Sequence, residues 1–313
     1  MCNKDLSECL RLKGIIHRDY GNLTLAEEAL SEALSIANLM EDPYSQALCQ
    51  KILSALALSR GNFSDAVSLA TAAEDGLRST NDYSNLIYIL LDRTEIAVKG
   101  NHDLLGARQF VDQAAEIASL HNGNKGHLRI LNNKASIEGA AGDVMAACGY
   151  LGEVLEIDLR PGMLRFEAFL EALRGKAVYE VWLGNFETAR ALIASAVKFA
   201  SESEHDSFVA SIASAYVEIS AGEAAQARLL LESQMQLGQG REDRQAVAML
   251  WRALGEVALL EGSPAEAKQH FSKAVYLCKT MGMPLDLLYV SKLHWYTFPG
   301  EFWGWAKYLD EKI

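Results

Sequence analysis

The residues nearest to a known catalytic motif are His17, Arg18 and Asp19, which spell the tripeptide of the protein-kinase catalytic loop. In that loop the aspartate acts as a base for phosphoryl transfer, together with a glycine-rich loop, a strand lysine and a DFG sequence. The sequence contains none of these companions. We therefore attribute the match to chance, and no set of nucleophile, base and orienting residue predicts a catalytic site.

Metal and phosphate chemistry also lack their local motifs. The seven histidines show no spacing of four residues along a helix, and there is neither an HExxH sequence nor a GxxxxGK[ST] loop. The five cysteines are odd in number and contain no CxxC pair. These spacings predict no metal, no cofactor and no disulfide framework, and they favour a reducing compartment.

Charge and hydropathy narrow the class of partner. The formal net charge is −12, whereas a protein that binds the phosphate backbone is normally basic, so nucleic acid is not predicted as a partner. No uncharged apolar run is long enough to span a bilayer, and residues 1–5 are too polar for a secretory signal. We expect an intracellular, cytoplasmic protein with no membrane partner.

A glycine that returns every 38 to 42 residues organises the chain. Each of these glycines ends an apolar, helix-like stretch and precedes another, and such a period indicates stacked helix pairs. The seven positions are Gly21, Gly61, Gly100, Gly142, Gly184, Gly222 and Gly262. At Gly100 the following alanines come two residues late, which predicts a turn lengthened by two residues.

The residues after these glycines predict helix starts. Ser263 and Pro264 precede Glu266, which is the pattern of a capped helix with proline in its first turn. Thr24 and Ser64 are likewise predicted as N-caps, and this placement explains the Asn-x-Ser/Thr sequences better than glycosylation does.

The repeat resembles the tetratricopeptide repeat (TPR) family. The seventh unit matches the family pattern in register at Trp251, Leu254, Gly255, Gly262, Ala267, Phe271 and Ala274. The resemblance implies an all-α, right-handed α-solenoid, or superhelix, of about seven helix pairs. Its long units are similar to those of kinesin light chains and of the sensor arms of MalT-like and other STAND-class regulators.

The register predicts one continuous solenoid over residues 1–282 and a C-terminal capping segment over 283–313. The predicted helix pairs are 4–19 with 24–40, 44–59 with 64–79, 82–98 with 103–120, 127–140 with 143–157, 163–182 with 186–202, 206–220 with 223–237, and 242–260 with 264–280. The tail carries Phe302, Trp303 and Trp305, which are expected either to cap the core or to form a self-association patch.

In the resembled family, set positions on each first helix line the concave face. The resemblance therefore implies a partner-binding face that includes Arg129, Asn132, Arg174, Trp182, Tyr216 and Arg252. The arginines and the asparagine would hold a peptide carboxylate or backbone, and the two aromatic residues would anchor an apolar side chain. The alternative is an internally neutralised groove, in which Glu171 and Glu256 pair with the arginines.

The chaperone-tail clamp of some family members is not expected here. Apolar residues such as Ile15, Ile52 and Ile87 stand where the clamp needs lysine or asparagine in the first three repeats.

Three functions stay open at this stage. The first is a protein-interaction scaffold that binds a peptide or helix of a partner on its concave face. The second is the regulatory or sensor arm of a STAND- or LuxR-type signalling system that binds a small effector or self-associates. The third is an enzyme whose site is assembled from distant repeats in the groove.

Overall fold

The computed structural model describes residues 3–19, 22–101, 103–122, 126–157, 166–200, 204–238 and 244–280. These ranges form fourteen α-helices and one π-helical segment, Ala118–Asn122, with no strand among them. The helices are α1 (Asn3–Asp19), α2 (Leu23–Leu39), α3 (Pro43–Ser59), α4 (Phe63–Ser79), α5 (Tyr83–Asn101), α6 (Leu104–Ile117), α7 (His127–Ala141), α8 (Val144–Leu155), α9 (Phe166–Trp182), α10 (Phe186–Ala200), α11 (Glu204–Ser220), α12 (Ala224–Gly238), α13 (Arg244–Leu260) and α14 (Pro264–Thr280).

The chain divides into two compact units, Met1–Asn133 and Lys134–Ile313, and the boundary falls within α7. In the first unit α1 packs on α2, α3 on α4 and α5 on α6, while α3 also contacts α1 and α5. In the second unit α9 packs on α10, α11 on α12 and α13 on α14, while α11 also contacts α9 and α13. Each unit is therefore a stack of helix pairs, as the repeat predicts.

Every described helix lies within three residues of its predicted bounds. The turn at Gly262 shows why the glycines mark these bounds so well. Its φ of 73° is in the left-handed region, and its N–H donates to the carbonyl of Leu259 at 3.0 Å while the N–H of Ser263 donates to that of Ala258 at 2.8 Å. These bonds end α13 and reverse the chain, and glycine adopts this φ at the least cost.

The predicted longer turn at Gly100 is wrong. Helix α5 continues past this glycine to Asn101, and α6 begins at Leu104, so the additional residues extend the helix instead of the turn. A β-carbon at Gly100 would lie 3.0 Å from Cδ1 of Phe63. The glycine therefore gives room to a neighbouring ring and does not end the helix.

Two of the predicted caps are also wrong by position. Helix α2 begins at Leu23, so Thr24 lies inside it, and helix α4 begins at Phe63, so Ser64 lies inside that helix. The N-cap of α4 is Asn62, whose side-chain oxygen accepts the N–H of Asp65 at 3.4 Å. The capping residue directly follows the glycine because the turn takes a single left-handed residue.

Small residues let the helices of a pair approach closely. Ala26 and Ala33 of α2, and Ala267 and Ala274 of α14, have no solvent exposure. Gly14 of α1 faces Leu30, where a β-carbon would lie 2.5 Å from Cγ. These positions carry the TPR-like pattern, and the structure gives each of them a packing role.

Among the described residues, no helix is both long and apolar enough to cross a membrane. The aromatic residues Phe302, Trp303 and Trp305, and the whole predicted cap over 283–313, lie outside the described residues. The predicted division into 1–282 and 283–313 stays a prediction.

Candidate functional site

Five residues of the first unit form a polar cluster on the first helices α3, α5 and α7. We name it the Tyr88 cluster, and its members are Lys51, Asn85, Tyr88, Asp92 and Arg129. The Lys51 ammonium lies 5.7 Å from the centre of the Tyr88 ring, and the Arg129 guanidinium lies 5.7 Å from the same centre. The cluster thus places two cations against one aromatic ring, an arrangement that the ring quadrupole favours.

Hydrogen bonds hold the two cations in place. The Lys51 ammonium donates to the amide oxygen of Asn85 at 2.6 Å. The Arg129 guanidinium donates to the Asp92 carboxylate at 2.8 Å. Arginine is therefore neutralised within the cluster, whereas lysine meets a neutral acceptor.

The start of helix α5 fixes the orientation of Asn85. Asp82 precedes the helix and accepts the backbone N–H of Asn85 at 3.0 Å and its side-chain NH₂ at 2.7 Å. The Tyr44 hydroxyl donates to the same carboxylate at 3.2 Å. Because the NH₂ of Asn85 is committed to Asp82, its oxygen is the atom that faces Lys51.

The surroundings of Lys51 lower the pKa of its ammonium. Burial is the main cause, and the nearby cations Arg129 and Arg11 act in the same direction. Asp92 and Asp82 oppose this effect. The net effect is a lowered pKa, because desolvation disfavours the charged ammonium and the two carboxylates that favour it act only through space.

Arg129 and Asn132 are the two predicted site residues that belong to the first unit. Arg129 is part-exposed in the Tyr88 cluster, whereas Asn132 is only 5% exposed. The residues predicted from the sequence do not include Lys51, Tyr88 or Asp92. Spacing gives only a weak signal for them. Asp92 and Arg129 are 37 residues apart, which is close to one repeat, whereas Lys51 and Asn85 are 34 apart, which is shorter than the 38 to 42 residues of the repeat.

The other four predicted site residues belong to the second unit. Arg174 of α9 forms an ion pair with Asp206 of α11 at 3.4 Å. Trp182, at the end of α9, packs edge-on against Tyr179 with ring centres 6.1 Å apart. The indole N–H of Trp182 is buried and meets no acceptor among the described residues.

Tyr216 and Arg252 come together, but inside the helix stack. Arg252 is 2% exposed and donates from Nε to Glu256 at 2.9 Å, and its guanidinium lies 5.8 Å from the Tyr216 ring. Burial raises the pKa of the Tyr216 hydroxyl. These two side chains therefore join α11 to α13.

Each of the three arginines in the predicted set forms an ion pair with a carboxylate. The pairs are Arg129–Asp92, Arg174–Asp206 and Arg252–Glu256. The alternative of an internally neutralised groove correctly named Glu256, and it missed the two aspartates. Both aspartates lie on the first helix of a neighbouring repeat. The Arg129–Asp92 and Arg174–Asp206 pairs therefore each link two repeats, whereas Arg252 and Glu256 lie on the same helix.

Within the described part of the chain, no group of three or more histidine, cysteine, aspartate or glutamate residues is arranged to hold a metal ion.

No family model and no curated protein sequence matches this chain. Solved structures do match it. A TPR protein from Parabacteroides merdae ATCC 43184 aligns at 18% identity and a TM-score of 0.52, over 92% of this chain and 98% of the other. The fold is that of tetratricopeptide repeat proteins.

Two further structures bear on the same TPR fold. The Rap conjugation gene regulator of plasmid pLS20, solved with the Phr* peptide, aligns at 12% identity and a TM-score of 0.71, over 87% of this chain and 73% of that chain. A STAND protein with a TPR sensor, PH0952 from Pyrococcus horikoshii, aligns at 15% identity and a TM-score of 0.59, and the TPR-like chain described here spans 49% of it. Identities this low establish likeness of fold alone.

Proposed function

We propose that this chain is a protein-interaction scaffold that binds an extended peptide or helix of a partner along its first helices. The observation that carries the proposal is the Tyr88 cluster, which combines an aromatic ring, two cations and oriented amide and carboxylate groups on neighbouring repeats. Such mixtures of rigid aromatic surface and positioned polar groups are typical of binding hot spots. The Rap regulator solved with the Phr* peptide supports the proposal, because it has a similar fold.

A direct experiment is selection from a soluble random-peptide library on the purified full chain, with bound peptides read by mass spectrometry. We expect wild type to enrich a family of related peptides. Tyr88→Ala should lower the affinity of the protein for the selected peptides by about ten-fold or more, as expected for an aromatic hot spot. The matched control is Tyr276→Ala, which removes an exposed tyrosine of α14 that lies outside the cluster.

The predicted set in the second unit gives a separate binding prediction. Tyr216 and Arg252 are buried, so a ligand there would contact the part-exposed Arg174 and Trp182. Selected peptides that bind Arg174→Glu, Trp182→Ala protein as tightly as wild type would remove these residues from the binding site.

A second proposal is a regulatory arm that senses a small effector or self-associates. Its support is the likeness to a STAND protein that carries a TPR sensor. A parent chain with a nucleotide-binding module would favour it. A purified protein that shows no thermal shift with candidate effectors and no self-association would count against it. Neither proposal assigns a catalytic step, and the cytoplasmic location stays a prediction.

A further inference from the structure

We infer that Lys51 binds a carboxylate group of the partner peptide, an inference that rests on the proposed function and assigns one contact within it. The ammonium of Lys51 carries three N–H donors, and one of them reaches Asn85. Among the described residues, no carboxylate forms an ion pair with it. A cation of this kind, part-buried without an anion, is suited to receive one from a ligand.

Neighbouring cations of the first unit show the contrast. Arg11 pairs with Glu8, Arg93 with Glu74, and Arg129 with Asp92. Each of these guanidinium groups has an anion supplied by the fold itself. Lys51 has the amide oxygen of Asn85 in that place.

The energetic argument follows from burial. Desolvation of a charged group is costly unless an opposite charge compensates it. At Lys51 the cost shows in the lowered pKa, to which Arg129 and Arg11 contribute. A bound carboxylate would recover the lost solvation and would be attracted by all three cations.

The ligand group is expected to carry a single negative charge. Asp92 and Asp82 act on Lys51 through space, and they would repel an incoming dianion such as phosphate more strongly than a carboxylate. Asn85 offers its oxygen and not its NH₂ to this position, so the anion must bind through the ammonium. The Tyr88 ring beside it would pack against the apolar part of the same peptide residue.

The experiment uses soluble random peptides with free carboxyl termini, selected on the full chain, on Lys51→Met protein and on Lys13→Met protein. The methionine keeps the packing of the lysine stem and removes its charge. Lys13 is an exposed lysine of α1 and controls for the loss of one positive charge. Each enriched peptide is then made with its aspartate or glutamate changed to the amide, and separately with an amidated terminus, and all forms are measured by calorimetry.

We expect one of the two amide changes to weaken binding to wild type and to Lys13→Met protein by about ten-fold or more, as for a charge-assisted hydrogen bond. That change identifies the source of the carboxylate. On Lys51→Met protein the acid and amide forms should bind equally well.

Three outcomes would overturn the inference in distinct ways. Equal binding of acid and amide forms to wild type would do so without any variant, even where Lys51→Met protein fails to fold by circular dichroism. If the acid and amide forms differ in affinity for folded Lys51→Met protein as much as for wild type, a residue other than Lys51 binds the carboxylate. Failure of wild type to enrich any peptide family would overturn the proposed function itself, and this inference with it.

Discussion

Gly255 of α13 lies so close to the ring of Phe271 in α14 that a β-carbon at this glycine would sit 2.5 Å from Cδ1 of the ring. The ring has no solvent exposure, and it lies in a helix that packs along α13. Contact between these two helices therefore depends on the missing side chain.

Gly255→Ala should destabilise the protein by about 1–3 kcal/mol, because the added methyl forces the ring or the helix to shift. The matched control is Gly149→Ala in α8, where a β-carbon would meet nothing within 4 Å. There the change should be neutral or stabilising by up to about 1 kcal/mol, since alanine is the better helix former. Urea unfolding followed by circular dichroism measures both, and equal effects would contradict the packing argument.

The buried pair Arg252–Glu256 should be costly to break and less costly to replace. Arg252→Met removes the guanidinium that donates to the buried Glu256 carboxylate and should destabilise by about 3–5 kcal/mol. Adding Glu256→Leu removes that charge and should restore much of the loss. Chemical denaturation of both variants tests this, and a double variant that is less stable than the single one would refute it.

Asn62 and Ser64 separate the cap seen in the structure from the cap that the sequence predicted. Asn62→Ala removes the side chain that accepts the Asp65 N–H, and should cost about 0.5–2 kcal/mol. Ser64→Ala should have little effect, because Ser64 is an exposed residue inside α4. Thermal unfolding of the two variants decides between them, and a larger loss for Ser64→Ala would reinstate the predicted cap.

Lys51 should make the free energy of unfolding depend on pH in the alkaline range. Its pKa is lowered in the folded state, so the folded protein binds its proton more weakly than the unfolded chain does. The resulting penalty is fully present below the folded-state pKa and is relieved as the pH rises from there to about 10.4, the ordinary lysine value. Wild type should therefore gain stability relative to Lys51→Met protein across this window. Urea unfolding at several pH values measures the difference, and parallel curves for wild type and Lys51→Met would contradict it.

The glycines predicted the helix bounds well where a left-handed turn requires glycine, as at Gly262. Gly100 misled the prediction because the same residue type also serves close packing, here against Phe63. A sequence alone does not distinguish these two uses. The stack of helix pairs and its small buried residues were therefore predictable, while the length of α5 was not.

The candidate site was harder to predict for a similar reason. Arg129 and Arg174 were found from the family register, but their partners Asp92 and Asp206 lie on neighbouring first helices. Which residues meet across that boundary depends on how far one helix is offset along the next. Lys51 stands out because no carboxylate among the described residues forms an ion pair with it. A pattern in the sequence around Lys51 does not show that such a partner is missing.

Asp82 serves two purposes with one side chain, since it begins α5 and also aims Asn85 toward Lys51. A substitution at Asp82 would therefore affect both purposes at once. Under the proposed function, a homologue that replaces this aspartate is expected to differ in ligand preference, so the residue at this position would sort relatives by specificity.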